Sequence, residues 1–179
     1  MTPFFRLFSR LIGTIGSAGK SDMISYLKKG EHLALPPGGF EEATLTSTRQ
    51  DRVFIKKRHG FIRLCLKFGV AVRPVYVFGE KDLFSNIQML KKFRLKLNRM
   101  GLPGILVWGE PLLPFLPKMN KSMHIIVGAP IALPKIENPS KDEVAKWHGK
   151  YIASLTGLFE NHKVNAYGER GKDMKLEVW

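Results

Sequence analysis

Between Gly60 and Glu80 an apolar helical segment feeds an apolar extended one, and this pairing restricts the chain to the α/β class. Residues 60–68, Gly-Phe-Ile-Arg-Leu-Cys-Leu-Lys-Phe, predict a helix closed by Gly69. Residues 71–78, Ala-Val-Arg-Pro-Val-Tyr-Val-Phe, predict a valine-rich strand, apolar enough to lie centrally in a sheet. The strand stops at Gly79-Glu80, which predicts a βαβ-type edge, where α/β proteins collect the polar groups of their sites. Upstream, Leu33–Leu35 predicts a short strand that stops at Pro36-Pro37-Gly38-Gly39 and meets Glu41 and Glu42. Gly38 and Gly39 permit close backbone approach or a positive φ, and the two carboxylates beside them make a polar pocket.

The rest of the chain continues the alternation. Phe4, Phe5, Leu7, Phe8, Leu11, Ile12 and Ile15 recur at helical spacing; such a helix either covers a sheet or lies on a bilayer. Ser21-Asp22 predicts a cap on a short helix running to Lys29. A long basic helix is expected from Leu83 to Arg99, followed by a proline-rich stretch, 101–121, that suits neither a regular helix nor a central strand. His124–Val127 predicts a strand. Ser140 and Glu143 form a capping box opening a helix that buries Val144, Trp147, Tyr151, Leu155, Leu158 and Phe159 and runs to about Asn161. Lys175–Trp179 predicts a last short strand. No repeat, low-complexity tract or second domain is visible, so residues 1–179 are expected to form a single domain: α/β, with a mixed sheet flanked by helices.

Charge narrows the partners. Lys and Arg total 29 against 15 Asp and Glu, a net +14, which favours nucleic acid, an anionic membrane face or a phosphate-bearing substrate. Nucleic acid has no further support, because zinc-ligand spacing, aromatic strand signatures and a recognition helix are all missing from the sequence. A single cysteine, Cys65, cannot form an internal disulfide, and its apolar helix predicts a packed thiol. No metal site is expected from one cysteine and scattered histidines. No run of about 18 apolar residues predicts a membrane span, and the first fifteen residues lack a signal-peptide pattern.

Several blocks, in order, carry a resemblance. They are Pro37-Gly38-Gly39 with Glu42, Arg58-x-Gly60-Phe61 and Pro74-Val75-Tyr76-x-Phe78-Gly79-Glu80, then Val127-Gly128-Ala129-Pro130-Ile131 and Trp147-His148-Gly149-Lys150-Tyr151. The series resembles the type-two diacylglycerol acyltransferase family, which includes monoacylglycerol acyltransferases and wax synthases, over nearly the whole chain. The resemblance implies a lysophospholipid-acyltransferase-like fold and transfer of an acyl group from acyl-coenzyme A to a diacylglycerol hydroxyl, with monoacylglycerol or fatty alcohol as alternative acceptors. It implies no cofactor, acyl-coenzyme A being a co-substrate, and work at a membrane surface, the cytosolic face of the endoplasmic reticulum. The family's His-Pro-His-Gly motif, whose histidine deprotonates the acceptor, does not occur in the sequence. The expectation is therefore an amino-terminally truncated, carboxy-terminal part of such an enzyme, and no catalytic residue is assigned.

Eight residues are candidates for substrate binding: Pro37, Gly38, Gly39, Glu42, Arg58, Gly60, Phe61 and Glu80. Glu42 follows the glycine pair where a related fold binds its acceptor; the plain alternative is a turn glutamate facing water. Arg58 is expected to clamp a phosphate, pair with Glu42 or stand solvated. Glu80 is a site group or a helix cap. His59 lies inside a resembled block where the family more often has lysine, and it is not assigned the missing base; His148 is expected to be structural. The cations Lys91, Lys92, Arg94, Lys96 and Arg99, together with the proline-aromatic stretch 103–117, predict contact with a membrane surface. A non-catalytic, membrane-surface lipid-binding module of the same fold is the competing reading, and a homo-oligomer is left open.

Overall fold

The computed structural model describes residues 19–86, 91–99 and 107–179, in two units divided after Pro36. The expected amphipathic helix at residues 4–15 lies outside the described residues. In the first unit, helix α1, Lys20–Lys28, begins at Gly19 with no side-chain cap, so Ser21 and Asp22 sit in its first turn instead of capping it. Residues 33–35 do not form the expected strand: among the described residues they have no pairing partner, and Pro36 and Pro37 supply no N–H to continue a ladder.

The second unit begins with helix α2, Gly39–Leu45, and strand β1, Asp51–Val53. Helix α3, Gly60–Phe68, leads into strand β2, Val75–Phe78, and a short helix α4, Glu80–Leu83. Strand β3, Ser85–Asn86, helix α5, Lys91–Arg99, and strand β4, Val107–Trp108, come next. Strand β5, His124–Val127, precedes the long helix α6, Lys141–Tyr167, a 3-10 turn at Gly168–Asp173 and strand β6, Leu176–Val178. Helices and small sheets thus mix as an α/β chain does.

The strand pairing corrects the expected single mixed sheet. Among the described residues there are three two-stranded sheets: β1 with β6 in parallel, β2 with β5 and β3 with β4 antiparallel. The valine-rich run is not a central strand at a βαβ edge. Pro74 lacks an N–H and splits it, leaving Val72 in an isolated bridge to Ile131 and only Val75–Phe78 in a ladder. The expected basic helix 83–99 is likewise divided, because Phe84 is extended and Ser85 and Asn86 pair with Trp108 and Val107. Nor is α5 uniformly solvated, since Arg94 is buried.

One core joins α3, the inner face of β2 and α6. Ile62 and Leu66 meet Tyr76, Phe78, Tyr151, Leu155, Leu158 and Phe159, with Ile55 and Leu133 filling in. Phe78 stacks on Phe159 at 5.4 Å, and Tyr76 meets Phe78 edge-on at 4.7 Å. Burying each such ring contributes about 1.5–3 kcal/mol. The capping box forms as expected: Ser140 Oγ accepts from Glu143 N–H at 3.2 Å, and Glu143 accepts from Ser140 N–H at 2.8 Å. Helix α6 continues past Asn161 because no breaker intervenes before Gly168.

Candidate functional site

The glycine block builds the start of α2 and sets Glu42 over it. Gly38 is the N-cap, and Gly39 adopts the positive φ of 65° that the sequence allowed. The side chain of Glu42 folds back onto Gly38, where a Cβ would lie 2.2 Å from Glu42 Oε2. Any residue but glycine at position 38 therefore displaces this carboxylate. Glu42 Oε2 accepts the Phe54 N–H at 2.7 Å, tying α2 to the chain just after β1. Glu42 is half-buried, and desolvation raises its pKa; the Phe54 N–H opposes the rise, and the charge of Glu80 adds to it. Only Oε2 is anchored: no hydrogen bond to Oε1 occurs among the described residues.

Arg58 comes to the same place but does not pair with Glu42. Its Nη2 meets Glu41 Oε2 at 2.7 Å, and its guanidinium lies over the Phe54 ring at 5.4 Å. The pair is about one-third exposed, so it contributes at most ~1 kcal/mol. Arg58 Nε is buried without a hydrogen-bond acceptor among the described residues, a costly state for a donor. Pro37 is half-buried just before the cap.

The remaining candidates sit around this nucleus. Gly60 opens α3, and Phe61 packs edge-on against Tyr151 at 5.0 Å and His148 at 6.2 Å. Glu80 is exposed at the start of α4, close enough for its charge to act on Glu42. His148 is buried, with Nε2–H directed at Ile55 O at 3.0 Å, and the His59 ring lies 4.3 Å from its own. Burial, then the neighbouring His59, lowers the His148 pKa.

A second polar cluster has no counterpart among the sequence candidates. Asp51, buried at the start of β1, accepts from Lys81 Nζ at 2.6 Å through Oδ2. The hydroxyls of Tyr76 and Tyr167 both donate to its Oδ1 at 2.8 Å. Lys81 also lies over the Tyr167 ring at 4.9 Å. Burial and the Asp51 carboxylate push both tyrosine pKa values up, so they remain donors. Neither Asp51 nor Lys81 is among the sequence candidates, and a lysine three positions past the end of a strand gives no local sign of burial. Among the described residues no group of three or more His, Cys, Asp or Glu could hold a metal. No described helix is long and apolar enough to cross a membrane.

The glycine-seated carboxylate of Glu42 and the Arg58–Glu41 pair thus lie together on an α/β scaffold. The family model for diacylglycerol acyltransferases matches residues 1–178, and the chain belongs to that family. It is 34% identical to mouse acyl-CoA wax alcohol acyltransferase 2, over 90% of this chain and 52% of the relative. It is 31% identical to mouse diacylglycerol O-acyltransferase 2-like protein 6, over 97% of this chain and 56% of the relative. Against diacylglycerol O-acyltransferase 2 of Dictyostelium discoideum it is 30% identical, over 82% of this chain and 47% of the relative. The chain spans about half the length of the curated relatives it matches. No solved structure matches it.

Proposed function

We propose that this chain carries the acceptor-binding half of an acyl-coenzyme A-dependent O-acyltransferase that esterifies diacylglycerol. The observation that carries the reading is the Glu42 carboxylate, fixed through one oxygen by the Phe54 N–H and seated on Gly38. Its other oxygen is placed to accept a hydrogen bond from a glyceride hydroxyl, and partial burial strengthens that bond. Arg58, part-exposed and paired with Glu41 beside the glycine block, supplies a cation suited to a phosphate of the acyl donor. Family membership supports acyl-coenzyme A as donor, and monoacylglycerol or a fatty alcohol as alternative acceptors.

In the reaction the acceptor oxygen bonds to the thioester carbon, the carbon–sulfur bond breaks, and the hydroxyl proton ends on the coenzyme thiolate. A base must carry that proton, and no residue described here is given the role. The base belongs to the family's His-Pro-His-Gly segment, and the scaffold to the lysophospholipid-acyltransferase-like fold. Acyl chains dissolve in membranes, which supports a bilayer surface as the place of reaction; the family resemblance implies the cytosolic face of the endoplasmic reticulum.

The test measures transfer of labelled acyl groups to diacylglycerol by this chain alone and fused behind a relative's His-Pro-His-Gly segment. The fused protein is expected to turn over and the chain alone is not, with Glu42→Gln lowering the fused rate at least about tenfold, the cost of one lost transition-state hydrogen bond. Undiminished output from Glu42→Gln overturns the acceptor role. A fused protein that binds lipid but never transfers an acyl group favours a non-catalytic lipid-binding module.

A further inference from the structure

The loop joining β4 to β5 is internally hydrogen-bonded, yet its apolar side chains face water. Gly109 N–H donates to Pro114 O at 2.9 Å, Glu110 N–H to Leu116 O at 3.0 Å and Leu116 N–H to Leu113 O at 2.9 Å. Glu110 Oε1 accepts the Met119 N–H at 2.8 Å. A Cβ on Gly109 would lie 1.7 Å from Leu116 O, so the loop closes this tightly only over glycine. Its base is fixed as well: Lys118 N–H donates to Leu83 O at 2.9 Å, and Lys118 Nζ to Ser85 Oγ at 2.8 Å. On this ordered frame Leu112, Phe115 and Met119 are 94%, 93% and 81% exposed, with Leu113 and Leu116 exposed beside them. A contiguous apolar patch of this kind marks a surface that something covers.

Cations stand next to the tip. Directly after Met119 the chain lines a shallow depression of about 220 Å³ with Asn120, Lys121, Ser122 and His124, joined by Arg170 and Tyr167. The one carboxylate there, Asp82, is taken by Arg170 at 3.2 Å. Lys121 remains to face an incoming anion, in a chain of net charge +14.

We propose that this loop docks on an anionic phospholipid bilayer, the Leu112–Met119 tip entering the acyl region and the adjoining depression receiving the headgroups of anionic lipids. An apolar wedge with Lys121 at its edge matches the layered chemistry of an anionic bilayer: hydrocarbon beneath, negatively charged headgroups at the rim. The proposal goes beyond acyl transfer and does not rest on it, since membrane binding is read without turnover.

The test is co-sedimentation of the purified chain with phosphatidylcholine vesicles, with and without phosphatidylserine. Wild type is expected to bind the anionic vesicles, and Leu112→Asp/Phe115→Asp to lose at least about tenfold in partitioning. Lys121→Gln is expected to lose about fivefold, on anionic vesicles only. Phe115→Ser, a milder change, is expected to move in the same direction, with circular dichroism unchanged in every variant. Failure of wild type to bind, or unaltered binding by the double variant, overturns the proposal. A wild-type dimer that the double variant dissociates, without vesicle binding, also overturns it by assigning the tip to a second copy.

Discussion

The hydroxyls of Tyr76 and Tyr167 converge on one oxygen of Asp51, each at 2.8 Å, while Lys81 holds the other oxygen at 2.6 Å. Four residues from β1, β2, α4 and the end of α6 thus share one buried charge pair. Removing one member of a buried ion pair leaves the other uncompensated, at a cost of about 3–5 kcal/mol. Lys81→Met is expected to destabilise the chain by that amount in denaturant unfolding. Asp51→Leu/Lys81→Met is expected to recover much of the loss. A double variant as unstable as the single would locate the cost in packing instead.

Glu42 sets an opposite pH trend from an ordinary carboxylate. Burial raises its pKa in the folded state above the 4.5 of the free group. Its contribution is therefore full below pH 4.5 and is lost as pH rises through the folded value. Glu42→Gln, which still offers Phe54 an acceptor, is expected to flatten that part of the stability–pH curve. Unfolding midpoints of both proteins across the acid range check it.

His148 acts from the other side. Burial and His59 lower its pKa from 6.5, so the neutral ring is the stable form in the fold. The associated stability is present above pH 6.5 and is lost as pH falls through the lowered value. His59→Ala removes the lesser of the two causes and is expected to narrow that window. The readout is ring-proton chemical shift of His148 against pH, with a wild-type midpoint below 6.5.

Cys65 is a packed thiol in α3, and burial pushes its pKa from 9.0 to about 11. The thiolate fraction at neutral pH falls by about a hundredfold, because each pH unit is a factor of ten. Iodoacetamide is expected to alkylate native Cys65 far more slowly than the urea-unfolded chain. Equal rates would show the helix opening freely.

Legibility followed locality. The capping box at Ser140 and Glu143, the αL stop at Gly69 and the positive φ of Gly39 were all readable, because each depends on residues within a few positions. The strands at 75–78 and 124–127 were readable as elements but not as partners, since register is decided far along the chain. Leu33–Leu35 misled because apolar character alone cannot show whether a pairing strand exists. At the candidate site the glycine seat of Glu42 was legible. The preference of Arg58 for Glu41 was not, nor was the Phe54 anchor, because both depend on how β1 returns past α2. The Asp51 cluster was illegible for the same reason, being assembled from partners 25 to 116 positions away.

The parallel pairing of β1 with β6 has a consequence for how the chain comes together during synthesis. Arg52 on β1 meets Glu177 on β6 across 125 positions, and Trp179 N–H closes onto Val53 O at 2.9 Å, one residue before the amide that anchors Glu42. A ribosome must therefore deliver nearly all of these residues before the neighbour of that amide is locked. The strand beside the acid's seat is therefore made early and paired late, and until then the nascent chain presents an unzipped edge to whatever escorts it.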